Sequence, residues 1–235
     1  MFLQLSVPIP NCRHGMDARA WFTTLDPEQK VIPPQVFNHD TNKKNLQTLA
    51  KFRFGGGAGH GYLTAVGLEA SQLLLKLLPA LEALIYERIA TYPPDQRGEI
   101  RRNFGNTSYT ETEALWKYTA YLLVLETNGK SKTNPWKAER AGRTMLETPE
   151  AKERAKALLE RGIRRQIHML DLPEPESFVL IIDSFEPTAP VPAGGMKYQQ
   201  LAVKVQFRLN AELKGPWHAG RLASKGAGVI RPYKA

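Results

Sequence analysis

The side chains that could do chemistry in this sequence are the histidines His14, His60 and His218, the arginines Arg13 and Arg19 near the first of them, and a basic glycine-rich run at the far end. That run, Lys214 to Ala235, sets Gly215, Gly220, Gly226 and Gly228 among Lys214, Arg221, Lys225, Arg231 and Lys234, with no acid between them. Successive N–H groups in glycine-permitted turns form an anion-binding concavity, and flanking cations attract phosphate. A plain surface turn beside a basic terminus is the alternative reading. No Gly-Lys-Ser/Thr leads into a helix, so a mononucleotide P-loop is excluded. His60 and His218 compete with His14 as the group that moves a proton near neutral pH. No Asp, His or Glu cluster has metal-ligand spacing, and no cofactor motif is complete, so any hydrolysis here is expected to be metal-independent and cofactor-free. RNA permits this, because its own 2′-OH attacks the adjacent phosphate when held in line. Arginines then orient the phosphate and stabilise its charge, and a histidine assists the proton.

The elements that must position these groups are legible to different degrees. Upstream of the glycine run, Leu201, Val203, Val205, Phe207, Leu209, Ala211 and Leu213 alternate with polar residues, which predicts one long strand with Lys204 and Arg208 on its polar face. Leu3, Leu5, Val7 and Ile9 predict an opening strand, followed by a loop or short helix carrying Arg13, His14 and Arg19. Residues 22–46 read as loop with at most one helical turn; Lys43 and Lys44 there are a solvated pair or a phosphate contact. Two short apolar runs about Gly55–Gly61 predict a hairpin with an over-long glycine tip, open to close approach by RNA backbone, with Arg53 beside it. Residues 68–90 show helical spacing of leucines, with Pro79 kinking or dividing the helix. Thr110 and Glu113 read as a capping box opening a helix through Leu125, and Thr148-Pro149 caps another running to about His168. Arg154, Arg161, Arg165 and His168 fall in one stripe of that last helix, either a solvated face or a grip on an RNA stem through its phosphates. Phe178–Ile182 predicts a further strand.

The whole chain bounds the function. Its 235 residues can bury one large core or two small ones. An excess of 32 Lys and Arg over 23 acids, a net charge of +9, favours a nucleic acid or another polyanion as partner. No apolar run approaches the ~20 residues of a membrane span, and no signal pattern opens the sequence, so a cytoplasmic protein is expected. Cys12 is the single cysteine, which excludes an intrachain disulfide and points to packing.

The run Phe207-Arg-Leu-Asn, followed by Gly220-Arg-Leu-Ala-Ser-Lys-Gly-Ala-Gly228, resembles the glycine-rich signature of the CRISPR-associated RNA-processing proteins of the RAMP superfamily, particularly the endoribonucleases that cut repeat transcripts into guide RNAs. Residues 51–66 resemble a strand-turn-strand element of that superfamily, and the middle of the chain is similar to the helical finger of its type IV branch. The resemblance implies an α+β fold of two ferredoxin-like (RAMP/RRM-like) β units with a helical finger-like insertion, divided as 1–93, 94–172 and 173–235. It implies a metal-independent endoribonuclease that cleaves CRISPR repeat RNA beside a stem-loop and can stay bound to the mature guide. The catalytic histidine of such relatives follows the first strand, which corresponds to His14; branches that lean on arginine instead bring in Arg13, Arg19 and Arg221. The RNA-binding set is then Arg53, His60, Arg154, Arg161, Arg165, Lys204, Arg208, His218, Gly220, Lys225, Gly226, Gly228 and Arg231. A non-catalytic RNA-binding subunit of a CRISPR ribonucleoprotein is the other reading. The partners implied are repeat or guide RNA and further subunits of an effector complex.

Overall fold

The computed structural model describes residues 1–37, 50–125, 148–188, 191–192, 199–220 and 222–233. By internal contacts the chain forms two units, one of Met1–Thr107 with Ser224–Gly226, the other of Ser108–Ala223 with Ala227–Ala235.

The first unit runs β1 (Phe2–Pro8), α1 (Gly15–Leu25), β2 (Phe52–Gly57), β3 (His60–Val66), α2 (Leu68–Ala90) and β4 (Arg101–Gly105). All pairings are antiparallel and the sheet order is β2-β3-β1-β4, the split β-α-β-β-α-β arrangement of a ferredoxin-like fold. Leu3, Leu5 and Val7 of β1 are buried in its core, with Phe22, Phe54, Leu63, Leu74 and Leu81. Helix α1 is fuller than expected. Beyond the buried Gly15 at its start, its buried stripe is Ala18, Phe22 and Leu25, at i, i+4 and i+7, too narrow to stand out in the sequence. Just beyond it the Asp26 carboxylate accepts the N–H groups of Lys30, Val31 and Ile32 and turns the chain. Lys43 and Lys44 lie outside the described residues.

The hairpin is tighter than expected. Ala58 and Gly59, at φ 50° and 77°, make a two-residue turn. Gly55, Gly56 and Gly57 belong to β2 itself rather than to a long tip. The hairpin has no room for a side chain at Gly56 of β2 or at Gly61 of β3: a Cβ at Gly56 would lie 2.5 Å from Cys12 Sγ, and one at Gly61 would lie 2.3 Å from Ile9 Cδ1. Helix α2 continues through Pro79 as one element, the proline standing on its exposed side.

The second unit corrects the expected helical middle. Residues 108–124 form a long strand, β5 (Ser108–Val124), so Thr110 and Glu113 open no helix. Two register shifts against its neighbour, at Glu111/Trp116 and Ala120/Leu123, break the alternation that would have announced a strand. There follow α3 (Pro149–Met169), β6 (Leu180–Pro187), a short pair β7 (Val191–Pro192) and β8 (Gln199–Gln200), β9 (Ala202–Lys214), β10 (Trp217–His218) and β11 (Val229–Pro232). The α3 cap is as expected, Thr148 accepting from the Ala151 N–H with Pro149 at the first helical position.

The sheet order β10-β11-β5-β9-β6 repeats the first unit's plan. β11, β5, β9 and β6 take the places of β4, β1, β3 and β2, and the glycine-rich loop stands where a second helix would. The α+β class with two ferredoxin-like sheets therefore holds. The three-part division does not: the described part of 94–172 contains β4, β5 and α3 rather than a purely helical insertion, because the strand-breaking bulges of β5 mimic helical spacing.

Candidate functional site

In the first unit the sequence brings a set of basic groups to the N-terminus of α1. His14 is the N-cap, extended at φ −155° and ψ 172°, and its Nδ1 lies 3.4 Å from both the Asp17 backbone N and Asp17 Oδ2. The two contacts use Nδ1 differently: bare of a proton it accepts from the Asp17 N–H, and carrying one it donates to the carboxylate. Asp17 also accepts the Arg13 backbone N–H, leaving the Arg13 side chain 83% exposed. A helix N-terminus concentrates unpaired N–H groups and positive potential, so an anion placed here meets both dipole and side-chain charge.

Segment Ser224–Gly226 closes this site. A Cβ on Gly15 would lie 2.4 Å from the carbonyl oxygens of Lys225 and Phe54, and Gly226, at φ 81°, packs its own α-carbon side against the Phe54 carbonyl. Only glycine at both positions lets the three backbones meet. Lys225 thereby comes close enough to Arg19 for their charges to interact; burial first, and the Arg19 charge second, pull its ammonium below its ordinary value. Arg19 is half-buried, donates from Nη2 to the Phe37 carbonyl at 2.8 Å, and lies over the Phe37 ring. Burial lowers its guanidinium too. Cys12 is buried nearby as packing, with burial raising its thiol. His60 opens β3 opposite Pro8, at the end of the sheet where the Cys12 carbonyl accepts the Gly59 N–H, its Nδ1 3.2 Å from the Ala58 carbonyl.

The model of the type IV CRISPR-associated endonuclease Csf5 family matches residues 3–235. The chain belongs to this family. Among solved structures it is similar to "Csf5, CRISPR-Cas type IV Cas6 crRNA endonuclease", at 16% identity and TM-score 0.68, covering 99% of this chain and 98% of that one. It is similar over the same shares to a Cas6b crystal structure, at 16% identity and TM-score 0.67. A second Cas6b endoribonuclease aligns over 99% of this chain and 100% of its own at 14% identity and TM-score 0.56. At these identities the structural likeness speaks for the fold alone. No curated protein sequence matches the chain.

Against this Csf5-family background the remaining expected residues divide. Arg53 is 1% exposed, its Nε donating to the Ala50 carbonyl, and burial pushes its guanidinium down to about 9. It is therefore removed from any surface contact. His218, 7% exposed on β10 with its N–H on Gln166 Oε1, is removed likewise. Arg154 is turned inward to the Leu125 carbonyl, while Arg161, Arg165 and His168 remain exposed along α3. Lys204 and Arg208 pair with Glu186 and Asp183; Arg231 is exposed and lies over Tyr121.

Part of the glycine loop's backbone is already engaged within the loop and its strand neighbours. Ala219 N–H donates to Gly228, Ala227 N–H to Leu222, and Gly228 N–H to Leu122. A Cβ on Gly220 would strike Leu123, and one on Gly228 would overlap the Ala219 carbonyl. These glycines serve the packing of the loop on its own unit. Arg221 lies outside the described residues. The sequence reading missed Asp17 as the partner of His14 and Gly15 as the contact that admits Lys225; the acid three residues after a possible N-cap was the signal available for the first. Among the described residues, no three His, Cys, Asp or Glu side chains gather where they could hold a metal ion, and no helix is long and apolar enough to cross a membrane.

Proposed function

We propose that this chain is a metal-independent endoribonuclease that cuts CRISPR repeat RNA beside a stem-loop and keeps hold of the guide it makes. The observation that carries this reading is the gathering of His14, Arg13, Arg19 and Lys225 about the N-terminus of α1, in a chain of the Csf5 endonuclease family. In the proposed reaction the 2′-oxygen bonds to the adjacent phosphorus and the P–O5′ bond breaks. The 2′-OH proton is lost, the 5′-oxygen gains one, and a 2′,3′-cyclic phosphate remains. The cations and the helix N-terminus stabilise the non-bridging oxygens as negative charge builds. His14, held through Nδ1 by Asp17, presents its other nitrogen for proton transfer. Lys225, with its lowered ammonium, is suited to the second proton. Arg161, Arg165 and His168 of α3 hold the stem through its phosphates. The cytoplasm, and a place among other subunits of an effector complex, follow from this reading.

One observation favours the non-catalytic alternative: His14 and Arg19 are each already engaged, by Asp17 and by the Phe37 carbonyl. The discriminating experiment incubates the protein with a hairpin repeat RNA in EDTA, beside the same RNA carrying one 2′-deoxy substitution at the mapped cut. Cleavage in EDTA that the substitution abolishes is the expected result. Tight, salt-sensitive binding without cleavage would replace the nuclease with the binding subunit.

A further inference from the structure

The face of the second unit's sheet turned away from its core carries a recess that the proposed reaction does not use, although Thr119 in the middle of that face is buried. Tyr118 and Phe207, and Ile182 on β6, point into the core at 1%, 0% and 8% exposure, so their strand neighbours point outward. Lys117 and Arg208 stand opposite one another on β5 and β9, and Gln206 occupies the next outward place, opposite Thr119. A register shift between Ile182 and Ser184 makes Asp183 an extra residue on β6. It meets Arg208 Nε at 2.9 Å, which holds the guanidinium on this face. Tyr233 crosses the end of the row, its N–H donating to the Lys117 carbonyl at 2.9 Å and its side chain exposed.

Lys117, Asp183, Gln206, Arg208 and Tyr233 thus border a recess of about 370 Å³, near the lower end of the range of small-ligand sites. Beside it Arg231, in the same cross-strand row as Thr119 and Gln206, lies 5.8 Å over the exposed Tyr121 ring. With Arg208 paired to Asp183 and Lys204 to Glu186 on this face, Lys117 and Arg231 leave it net positive, so the surface is complementary to a polyanion. Two aromatic rings, an amide and a carboxylate add what phosphate attraction lacks: platforms on which a base stacks and groups that meet its edge. An acidic peptide would use the charge and leave the rings and the recess unfilled.

We propose that this sheet face binds an unpaired stretch of RNA, one base lodging in the recess against Tyr233 with Gln206 at its edge, and Lys117 and Arg231 holding the flanking phosphates. The proposal rests on the RNA reading above and adds to it a single-strand subsite, distinct from the groups assigned to cutting and to the stem.

The test measures binding of the full chain to two fluorescent RNAs, an unstructured 12-mer and the repeat hairpin without flanks. Tyr233→Ala is expected to weaken the 12-mer about tenfold, Tyr233→Phe to leave it within about twofold, and neither to change the hairpin. A 12-mer carrying 4-thiouridine is expected to crosslink to the peptide containing Tyr233. Wild-type 12-mer affinity in Tyr233→Ala would overturn the proposal, as would equal losses on both RNAs or crosslinks confined to α1 and α3. Because hairpin cleavage is read separately, loss of this subsite leaves the nuclease reading standing, and loss of cleavage leaves the subsite measurable.

Discussion

Replacing Gly15 by alanine is expected to destabilise the protein, although the same change at the start of most helices stabilises it. Alanine ordinarily gains about 0.5–1 kcal/mol over glycine inside a helix. Here its methyl would sit 2.4 Å from the backbone oxygens of both Phe54 and Lys225, where real contacts do not fall below 3.0 Å, so something must move by at least 0.6 Å. Phe54 lies within β2, paired to Leu63 of β3, and cannot yield cheaply. The start of α1 must therefore back away from Phe54, and the segment carrying Lys225 must shift with it. Overpacking of this kind costs about 1–3 kcal/mol; set against the helix gain, the net loss is on the order of 1 kcal/mol, or about 2–4 °C in Tm for a chain of this size. Lys225 would leave its place beside Arg19, and misplacement by ~1 Å is worth on the order of 10²-fold in rate. The assay is single-turnover cleavage of a repeat hairpin together with thermal unfolding. Gly57→Ala serves as the stability control, since a Cβ there meets nothing within 4 Å. A Gly15→Ala protein as stable as wild type, or more so, with undiminished cleavage would refute the close approach of these backbones.

Further outcomes are open to measurement. His14→Ala is expected to reduce cleavage by about 10²–10⁴-fold with little change in RNA affinity, as removal of a general acid or base does; weaker binding in proportion to the lost cleavage would make it a binding residue. Tyr118→Phe removes a buried hydroxyl that accepts the Leu213 N–H and donates to the Ala211 carbonyl, and is expected to cost about 1–3 kcal/mol in urea unfolding. Burial alone would raise the Asp26 carboxyl, but the amides of Ile32, Val31 and Lys30 outweigh it and hold it below its usual 3.8. Its stabilisation is therefore present above pH 3.8 and lost as pH falls through the folded value; Asp26→Asn should be less stable by about 1.5–3 kcal/mol at pH 7 and lack that component of acid sensitivity. Replacing both Arg161 and Arg165 by alanine should lower the log–log salt slope of stem binding by about two, one for each phosphate no longer neutralised.

The most legible elements are those whose pattern comes from one continuous interface. β9 and α2 each bury a single face along their whole length, and period alone placed both. β4 went unread because Arg101, Arg102, Asn103 and Phe104 are all exposed; the strand is held by its backbone pairing to β1, which leaves no trace in side-chain type. β5 was misread because Leu122, at φ 53°, and two bulges spoil its alternation. At the candidate site, charge and glycine content drew attention to Lys225, and the resemblance to the RAMP endoribonucleases drew attention to His14, but alternation alone could not reveal Arg53. It stands between buried Phe52 and Phe54, so period 2 sends it to the opposite face, and that face is covered too. At 220, 226 and 228, which drew attention, and at 15, which did not, the glycines mark where backbone crowds backbone or a neighbouring side chain.

The membership of Ser224–Gly226 in the first unit has a consequence in time as well as in space. A ribosome releases residues 1–107 long before it reaches Lys225, and at about 5–20 residues per second the delay is on the order of ten seconds. During that interval the early sheet can fold around β1 and α2 while the notch at Gly15 stands empty. The basic cluster there is finished only once residues from the second unit's stretch of chain have been made. A nascent or prematurely ended chain would then expose RNA-attracting charge without the lysine proposed to take part in cutting, so that competence waits for the segment around Lys225.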